Sequence, residues 1–144
     1  FDLVKPDKAY FGEKDFQQLA IIRHMTNKLG YQIEIAGCPT LREESGLAMS
    51  SRNARLSLNG KSLAANIYLA LMLLKSELNS ATPIKDSVAM ALSYLNKVDG
   101  LELEYLELVD PTNLAAADNE TKVVQACVAA WVDGVRLIDN MRVK

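Results

Sequence analysis

Lys8-Ala9-Tyr10-Phe11-Gly12 leads into Glu13-Lys14-Asp15-Phe16-Gln17-Gln18 and, after a run of spaced apolar residues, into Tyr31-Gln32-Ile33-Glu34-Ile35. Residues 8–12 read as the end of a buried strand. From Asp15 onward Phe16, Leu19, Ile22, Met25 and Leu29 recur at helical spacing, and Gly30 closes that helix. Tyr31 to Ile35 alternates and leads to Pro39, so it reads as a second strand. Strand, helix, strand is the parallel crossover unit. The chain therefore opens as α/β, with half of a doubly wound sheet and not a whole one.

Downstream the pattern changes twice. From Cys38 to Ser57 periodicity stops, and Ser45, Gly46, Ser50, Ser51, Asn53 and Ser57 crowd a segment that also holds Arg42, Arg52 and Arg55, which reads as a long functional loop. Leu63, Ile67, Ala70, Leu71, Leu74 and Leu78 then mark one amphipathic helix. Thr82-Pro83, a cap followed by a first-turn proline, opens another with Ile84, Val88, Ala91, Leu92 and Leu95 on one face. Strands are expected over Leu101–Val109, Val123–Trp131 and Val135–Met141, the last two joined at Asp133-Gly134, a favoured hairpin dipeptide. Two helices followed by an antiparallel three-stranded sheet make a small α+β lobe.

The expected division is thus 1–38, an incomplete crossover unit; 39–56, a hinge and loop; and 57–144, the α+β lobe. Residues 1–38 should be the less stable part, because their strand edges need a neighbour. The expected cover is pairing with a second copy of the chain, as a homodimer, ahead of the alternative, packing of the helix bearing Leu19 and Ile22 onto the C-terminal lobe.

Composition sets the outer limits. The 144 residues are 49% hydrophobic and 24% charged, the balance of a globular protein, which removes collagen-like, coiled-coil and disordered readings. The longest apolar run, Ile67 to Leu74, is far too short to cross a bilayer, so no membrane partner is expected. A net charge of -2 argues against a general nucleic-acid binder. Positive charge is nonetheless concentrated early: residues 1–56 hold eight Lys and Arg against seven Asp and Glu, and residues 57–144 hold eight against eleven. Cys38 and Cys127 are sparse and far apart, and read as small buried thiols of a reducing, cytoplasmic compartment. The chain opens Phe1-Asp2-Leu3 and looks like a piece of something longer.

Two runs can carry chemistry. Gly12-Glu13-Lys14-Asp15 sits where a strand ends and a helix begins, the place where open parallel sheets expose ligands and free helix N–H groups favour anions. Lys14 supplies a point charge for phosphate, Asp15 accepts from ribose hydroxyls, and Gln18 meets a small polar substrate. Asp15 followed by Gln18 is also a capping-box arrangement, which needs no ligand. In the second run, Met49-Ser50-Ser51-Arg52-Asn53, an arginine beside two hydroxyls can follow charge as it moves onto departing pyrophosphate, and Met49 offers an adaptable surface to a purine. The same run, taken singly, is more often a solvated turn. Glu102, Glu104 and Glu107 are a solvated strand face, with alternation placing Glu107 opposite the other two. His24, the single histidine, reads as a helix-surface residue.

Taken together, Gly12 to Leu19, Pro39-Thr40-Leu41-Arg42-Glu43, Gly46 to Asn53 and Arg136-Leu137-Ile138-Asp139-Asn140 resemble the C-terminal half of the pantothenate synthetase (pantoate-β-alanine ligase) family. The resemblance implies the C-terminal part of a doubly wound nucleotide-binding domain, its last crossover unit, followed by a C-terminal α+β lid. It also implies an ATP-dependent condensation of pantoate with β-alanine through pantoyl adenylate, with Mg2+ accompanying the nucleotide. Nucleotide contacts carry over to Gly12, Glu13, Lys14, Asp15, Leu41, Met49, Ser50, Ser51 and Arg52, and the pantoate contact to Gln18; Lys14, Ser50, Ser51 and Arg52 take the catalytic roles.

Leu41 replaces the more usual valine and keeps an apolar surface for adenine. Glu44-Ser45 stands where the family has an aspartate before the glycine, so that carboxylate's role does not carry over. The family's histidine-bearing phosphate motif belongs to its N-terminal half, so these 144 residues are expected to be inactive alone. A reading from another class is a non-catalytic binding or assembly module, with the Lys14 turn as a cap and the Ser-Arg run as a hinge. A related aminoacyl-tRNA synthetase core lacks support, because there is no lysine-rich signature loop.

Overall fold

The computed structural model describes all residues, 1–144, and they form two compact units, Phe1–Thr40 and Leu41–Lys144. In the first unit β1 (Lys8–Gly12) runs through a short 3-10 turn, Glu13–Asp15, into α1 (Phe16–Lys28) and then β2 (Glu34–Cys38). The strands pair in parallel from Lys8 opposite Glu34 to Gly12 opposite Cys38, which is the expected crossover unit. Lys8 and Glu34 also form an ion pair at 2.6 Å.

β2 begins three residues later than the expected Tyr31. The reason is the helix terminus: Gly30 takes φ +72, its N–H donates to Asn27 O, and the Tyr31 N–H reaches back to Thr26 O at 3.0 Å. That pair of bonds is a Schellman cap, and it uses Tyr31 before a strand can start. The Tyr31 hydroxyl donates to Asp2 at 2.7 Å, which fixes the residue outside the sheet. Leu19 and Thr26 are buried on α1, and His24 is exposed as expected. Cys38, expected to be buried, is exposed at the end of β2.

The second unit contains α2 (Leu58–Asn79), α3 (Ile84–Leu95) and the strands β3 (Leu101–Val109), β4 (Gln125–Val132) and β5 (Val135–Arg142). The sheet is antiparallel in the order β3-β4-β5, so the α+β lobe stands as expected. Leu71, Leu74 and Leu95 from the helices join Val128, Val132, Val135 and Leu137 from the sheet in one buried core. Each such side chain contributes about 1.5–3 kcal/mol by leaving water. No helix is long and apolar enough to cross a membrane.

Three local details differ from expectation. Thr82 does not cap α3: its hydroxyl donates to Glu77 at 3.0 Å, and Asn119 Oδ1 accepts from the Ile84 N–H instead. β4 begins two residues late, at Gln125. β3 carries a bulge between Leu103 and Tyr105, so Leu101 and Leu103 point inward before it and Leu106 and Leu108 after it. One extra residue reverses the alternation. Glu107 therefore shares the outer face with Glu102, and Glu104, at the bulge, accepts from Trp131 Nε1 at 2.9 Å and from Arg136 at 2.8 Å.

The Asp133-Gly134 hairpin forms with φ of 52° and 69°, the left-handed pair that a two-residue turn of matching twist requires. Asp133 Oδ2 accepts from the Ser57 N–H at 2.9 Å and its hydroxyl at 2.8 Å, and Ser57 Oγ accepts from the Gly60 N–H at the start of α2. A Cβ on Gly60 would lie 2.0 Å from Asp133 Oδ2, so this contact requires glycine. β4 is buried on both faces, and burial, with Glu107 nearby, pushes the Cys127 thiol up to about 11.

Candidate functional site

In the first unit, Gly12 ends β1 with φ -69 and ψ 131, a conformation open to any residue, and a Cβ there would meet nothing within 4 Å. Nothing in this unit's packing demands the glycine. Glu13, Lys14 and Asp15 follow in the 3-10 turn, Lys14 half-buried and Asp15 exposed, and Gln18 is exposed one turn into α1. Asp15 occupies the position before α1 with ψ 58, and its side chain makes no capping bond. The capping-box alternative is therefore not what holds Asp15 and Gln18 here. The side chains of Glu13 and Arg23 lie over Gly37, where a Cβ would approach Glu13 Oε1 to 2.9 Å.

In the second unit, residues 41–55 form a folded element where the sequence suggests an irregular loop. Arg42 bridges to Ala48, the Glu43 N–H donates to Leu47 O at 2.9 Å, and the Met49 N–H donates to Leu41 O at 2.8 Å, closing a short hairpin. Its turn takes Gly46 to φ +87, and a Cβ there would fall 2.1 Å from Cδ1 of Tyr68. Ser45 Oγ accepts from the Leu47 N–H at 3.4 Å, a local turn bond that an aspartate in its place can also make. Ser50 then caps the 3-10 helix Ser51–Arg55 by accepting from the Arg52 N–H at 3.2 Å.

The hairpin has two sides. Leu47, Ala48 and Asn53 are buried, while Leu41, Met49, Ser51 and Arg52 are exposed, Leu41 at 71% and Met49 at 54%. Hydrogen bonding puts Leu41 and Met49 side by side, and the exposed Arg52 forms no ion pair. An apolar shelf thus adjoins hydroxyls and an uncompensated guanidinium, a surface suited to an anionic ligand with a flat apolar end. No group of three or more His, Cys, Asp or Glu is arranged to hold a metal ion.

Sequence reasoning gave no role to the groups that hold this element. Asn53 Nδ2 donates to Glu43 Oε1 at 3.0 Å and to Ala48 O at 3.1 Å, stitching the hairpin to the 3-10 helix. Arg42 donates to both carboxylate oxygens of Asp139, at 2.6 and 3.1 Å, and its guanidinium stands 4.6 Å from the Tyr68 ring centre. The available signal was Asp139 itself: a charged residue in phase with Val135 and Leu137 on a strand needs a buried partner.

Comparison with known proteins identifies the family. The pattern of the family described as pantoate-beta-alanine ligase matches residues 1–142. Pantothenate synthetase of Cytophaga hutchinsonii is 48% identical over 98% of this chain and 51% of its own length. The Bacteroides fragilis YCH46 protein of the same name is 46% identical over 100% of this chain and 51% of its own. A crystal structure of pantothenate synthetase from Thermus thermophilus superposes with a TM-score of 0.94 at 37% identity, covering 99% of this chain and 52% of that one. Pantoate-beta-alanine ligase from Francisella tularensis, solved with Beta-gamma ATP and Beta-alanine, superposes at 0.64 with 27% identity, over 99% and 46%. The chain spans about half the length of the curated relatives it matches. With the family's pattern running through nearly every residue and its fold reproduced in both units, the chain belongs to the pantoate-beta-alanine ligase family.

Proposed function

We propose that this chain supplies one part of an ATP-dependent ligase that joins pantoate to β-alanine through pantoyl adenylate. The observation that carries the reading is the two-sided hairpin: its buried side is spent on structure, and its exposed side presents Leu41, Met49, Ser51 and Arg52. In the proposed chemistry the pantoate carboxylate attacks the α-phosphorus of ATP, and the bond to the bridging oxygen breaks as pyrophosphate leaves. The β-alanine amine then attacks the pantoyl carbonyl and AMP departs.

Leu41 and Met49 take the adenine, while Ser50, Ser51, Arg52 and Lys14 meet the phosphates and stabilise charge as it moves outward. Glu13 flanks the phosphate contact. Asp15 holds the ribose and Gln18 the pantoate. The unhindered Gly12 supports close approach of a ligand to the backbone, since packing gives no other reason for it. Mg2+ belongs to the nucleotide's phosphates, and no step is assigned to it through this chain.

In this reading residues 1–38 are the last crossover of the nucleotide-binding domain, 39–56 the hinge and signature loop, and 57–144 the lid. A homodimer belongs to the same proposal, since β1 and β2 each have a neighbour on one side only. Analytical ultracentrifugation tests it. The 144 residues alone should not form pantothenate, because this reading assigns the phosphate-binding histidines to a segment outside them.

The decisive experiment is pantoate-dependent exchange of labelled pyrophosphate into ATP by the full-length protein. Exchange that requires pantoate supports the reading, and its absence in active, folded protein refutes it. A non-catalytic assembly module predicts no ATP-dependent chemical-shift change at Lys14 or Arg52, whereas the ligase predicts both in one titration.

A further inference from the structure

Within the Arg136-Leu137-Ile138-Asp139-Asn140 run, the proposed chemistry leaves Asp139 without a task. Its side chain is 4% exposed on β5, and Asp139 Oδ1 also accepts from the Asn140 N–H at 2.8 Å. An ion pair this deep adds little net stability over a well-packed apolar pair, because desolvation offsets the attraction. What it does secure is a geometry.

The geometry here is specific. Arg42 lies 97 residues from Asp139, and one guanidinium holds both carboxylate oxygens while Nη1 donates to Gly46 O at 3.0 Å and Nη2 to Asn140 O at 3.4 Å. The same cation stacks on Tyr68 of α2, the ring that also faces Gly46. Hairpin, helix and sheet therefore meet at a single side chain, which immediately follows Leu41 and holds the hairpin's turn. Only a planar fork can make these bonds together.

We propose that Arg42 and Asp139 are positioning residues for the nucleotide loop, fixing where Leu41, Met49 and Ser50 to Arg52 stand on the rigid lobe. The proposal rests on the nucleotide reading of that loop. Neither residue touches substrate; both act through the hairpin.

The test uses the full-length protein and three readouts: KM for ATP, KM for pantoate and the melting temperature. Arg42→Lys keeps charge and loses the fork, and Asp139→Asn keeps shape and loses charge. Each should raise the KM for ATP roughly tenfold or more, the scale for misplacing a positioned contact, and leave the KM for pantoate within about twofold. In combination with Arg52→Ala the losses should be less than multiplicative, because the loop's contacts fail as a unit. Glu104→Gln, in the exposed pair with Arg136, supplies a comparison that disturbs the sheet and leaves the KM for ATP unchanged.

A lowered melting temperature with an unchanged KM for ATP in the Arg42 and Asp139 variants overturns the proposal, as does full multiplicativity with Arg52→Ala. Should Arg42→Lys not fold, Asp139→Asn decides alone. If the unmodified protein shows no exchange, the functional reading fails and takes this proposal with it; if it exchanges and the variants retain its KM for ATP, only the positioning role fails.

Discussion

Residues 1–40 and 41–144 each carry one of the two candidate runs, but they are built to different standards. The first unit buries Leu19 and Thr26 and leaves Leu3, Val4, Tyr10, Ile21 and Leu29 exposed, whereas the second closes a continuous core around α2, α3 and the sheet. A two-stranded parallel sheet under one helix has little apolar surface to remove from water. The lesson is that the two candidate runs are held by different means. Lys14 and Gln18 depend on backbone geometry at a strand-helix junction, while Arg52 depends on a hairpin anchored to a core.

The largest expected effect tests where stability resides. Leu74→Ala, which empties a fully buried position, should cost about 2–5 kcal/mol in denaturant unfolding. Ile21→Ala, at a position 59% exposed, should change stability by less than about 0.5 kcal/mol. Equal losses at the two positions would break the contrast.

Next comes chemistry without stability. Arg52→Ala should slow pyrophosphate exchange by about a hundredfold, the scale for one preorganised charge contact, and leave the melting temperature unchanged, because the side chain is exposed and unpaired. Lys14→Ala should slow exchange comparably. An unchanged exchange rate in either variant removes that residue from the charge-stabilising role.

Two glycines sharpen the comparison further. Gly46→Ala must place a Cβ against Tyr68 at φ +87, and should cost about 1–3 kcal/mol along with nucleotide affinity. Gly12→Ala meets no atom, so unfolding should shift by no more than about 0.5 kcal/mol while ATP affinity falls. Calorimetry on both variants separates a glycine required by the fold from one required by a ligand. Intact ATP affinity in Gly12→Ala would leave that glycine without a function here.

The smallest effect is a pH dependence confined to the second unit. The Ser57 N–H, and then its hydroxyl, hold the Asp133 carboxyl below its ordinary value of 3.8. A depressed folded value means that its contribution is complete above about pH 4 and is lost as pH falls through the folded value. Asp133→Asn should therefore flatten part of the acid limb in a series of melting temperatures. An identical acid limb in the variant would show that this carboxylate contributes nothing there.

Much of this was legible in the sequence because it depends on local pattern. The crossover unit, the two amphipathic helices and the closing hairpin follow from periodicity and turn chemistry, whereas the Gly12 to Gln18 and Met49 to Arg52 runs stood out through their joint resemblance to the family. The misplacements have two causes, competition for backbone groups and a change of register. Tyr31 reads as strand by alternation, but the Gly30 cap claims its N–H first. Glu107 changes face because a single bulged residue upstream inverts the count. Thr82 looks like a cap, but Asn119, 35 residues away, takes that place. The anchoring of the loop was invisible for a different reason: Arg42 and Asp139 meet only after the whole lobe has closed, and no local window contains both.

The link between Asp133 and Ser57 also orders events in time. The β4-β5 hairpin closes through a two-residue turn, a local contact of the kind that forms in microseconds, whereas Ser57 must travel across 76 residues to reach the same turn. The hairpin is therefore expected to exist before α2 gains its anchor, so the turn acts as a template on which the helix start is later fastened. Stopped-flow kinetics can read this sequence directly. Gly134→Ala should slow folding, Asp133→Asn should chiefly speed unfolding, and a reversal of the two would mean that the long-range fastening comes first.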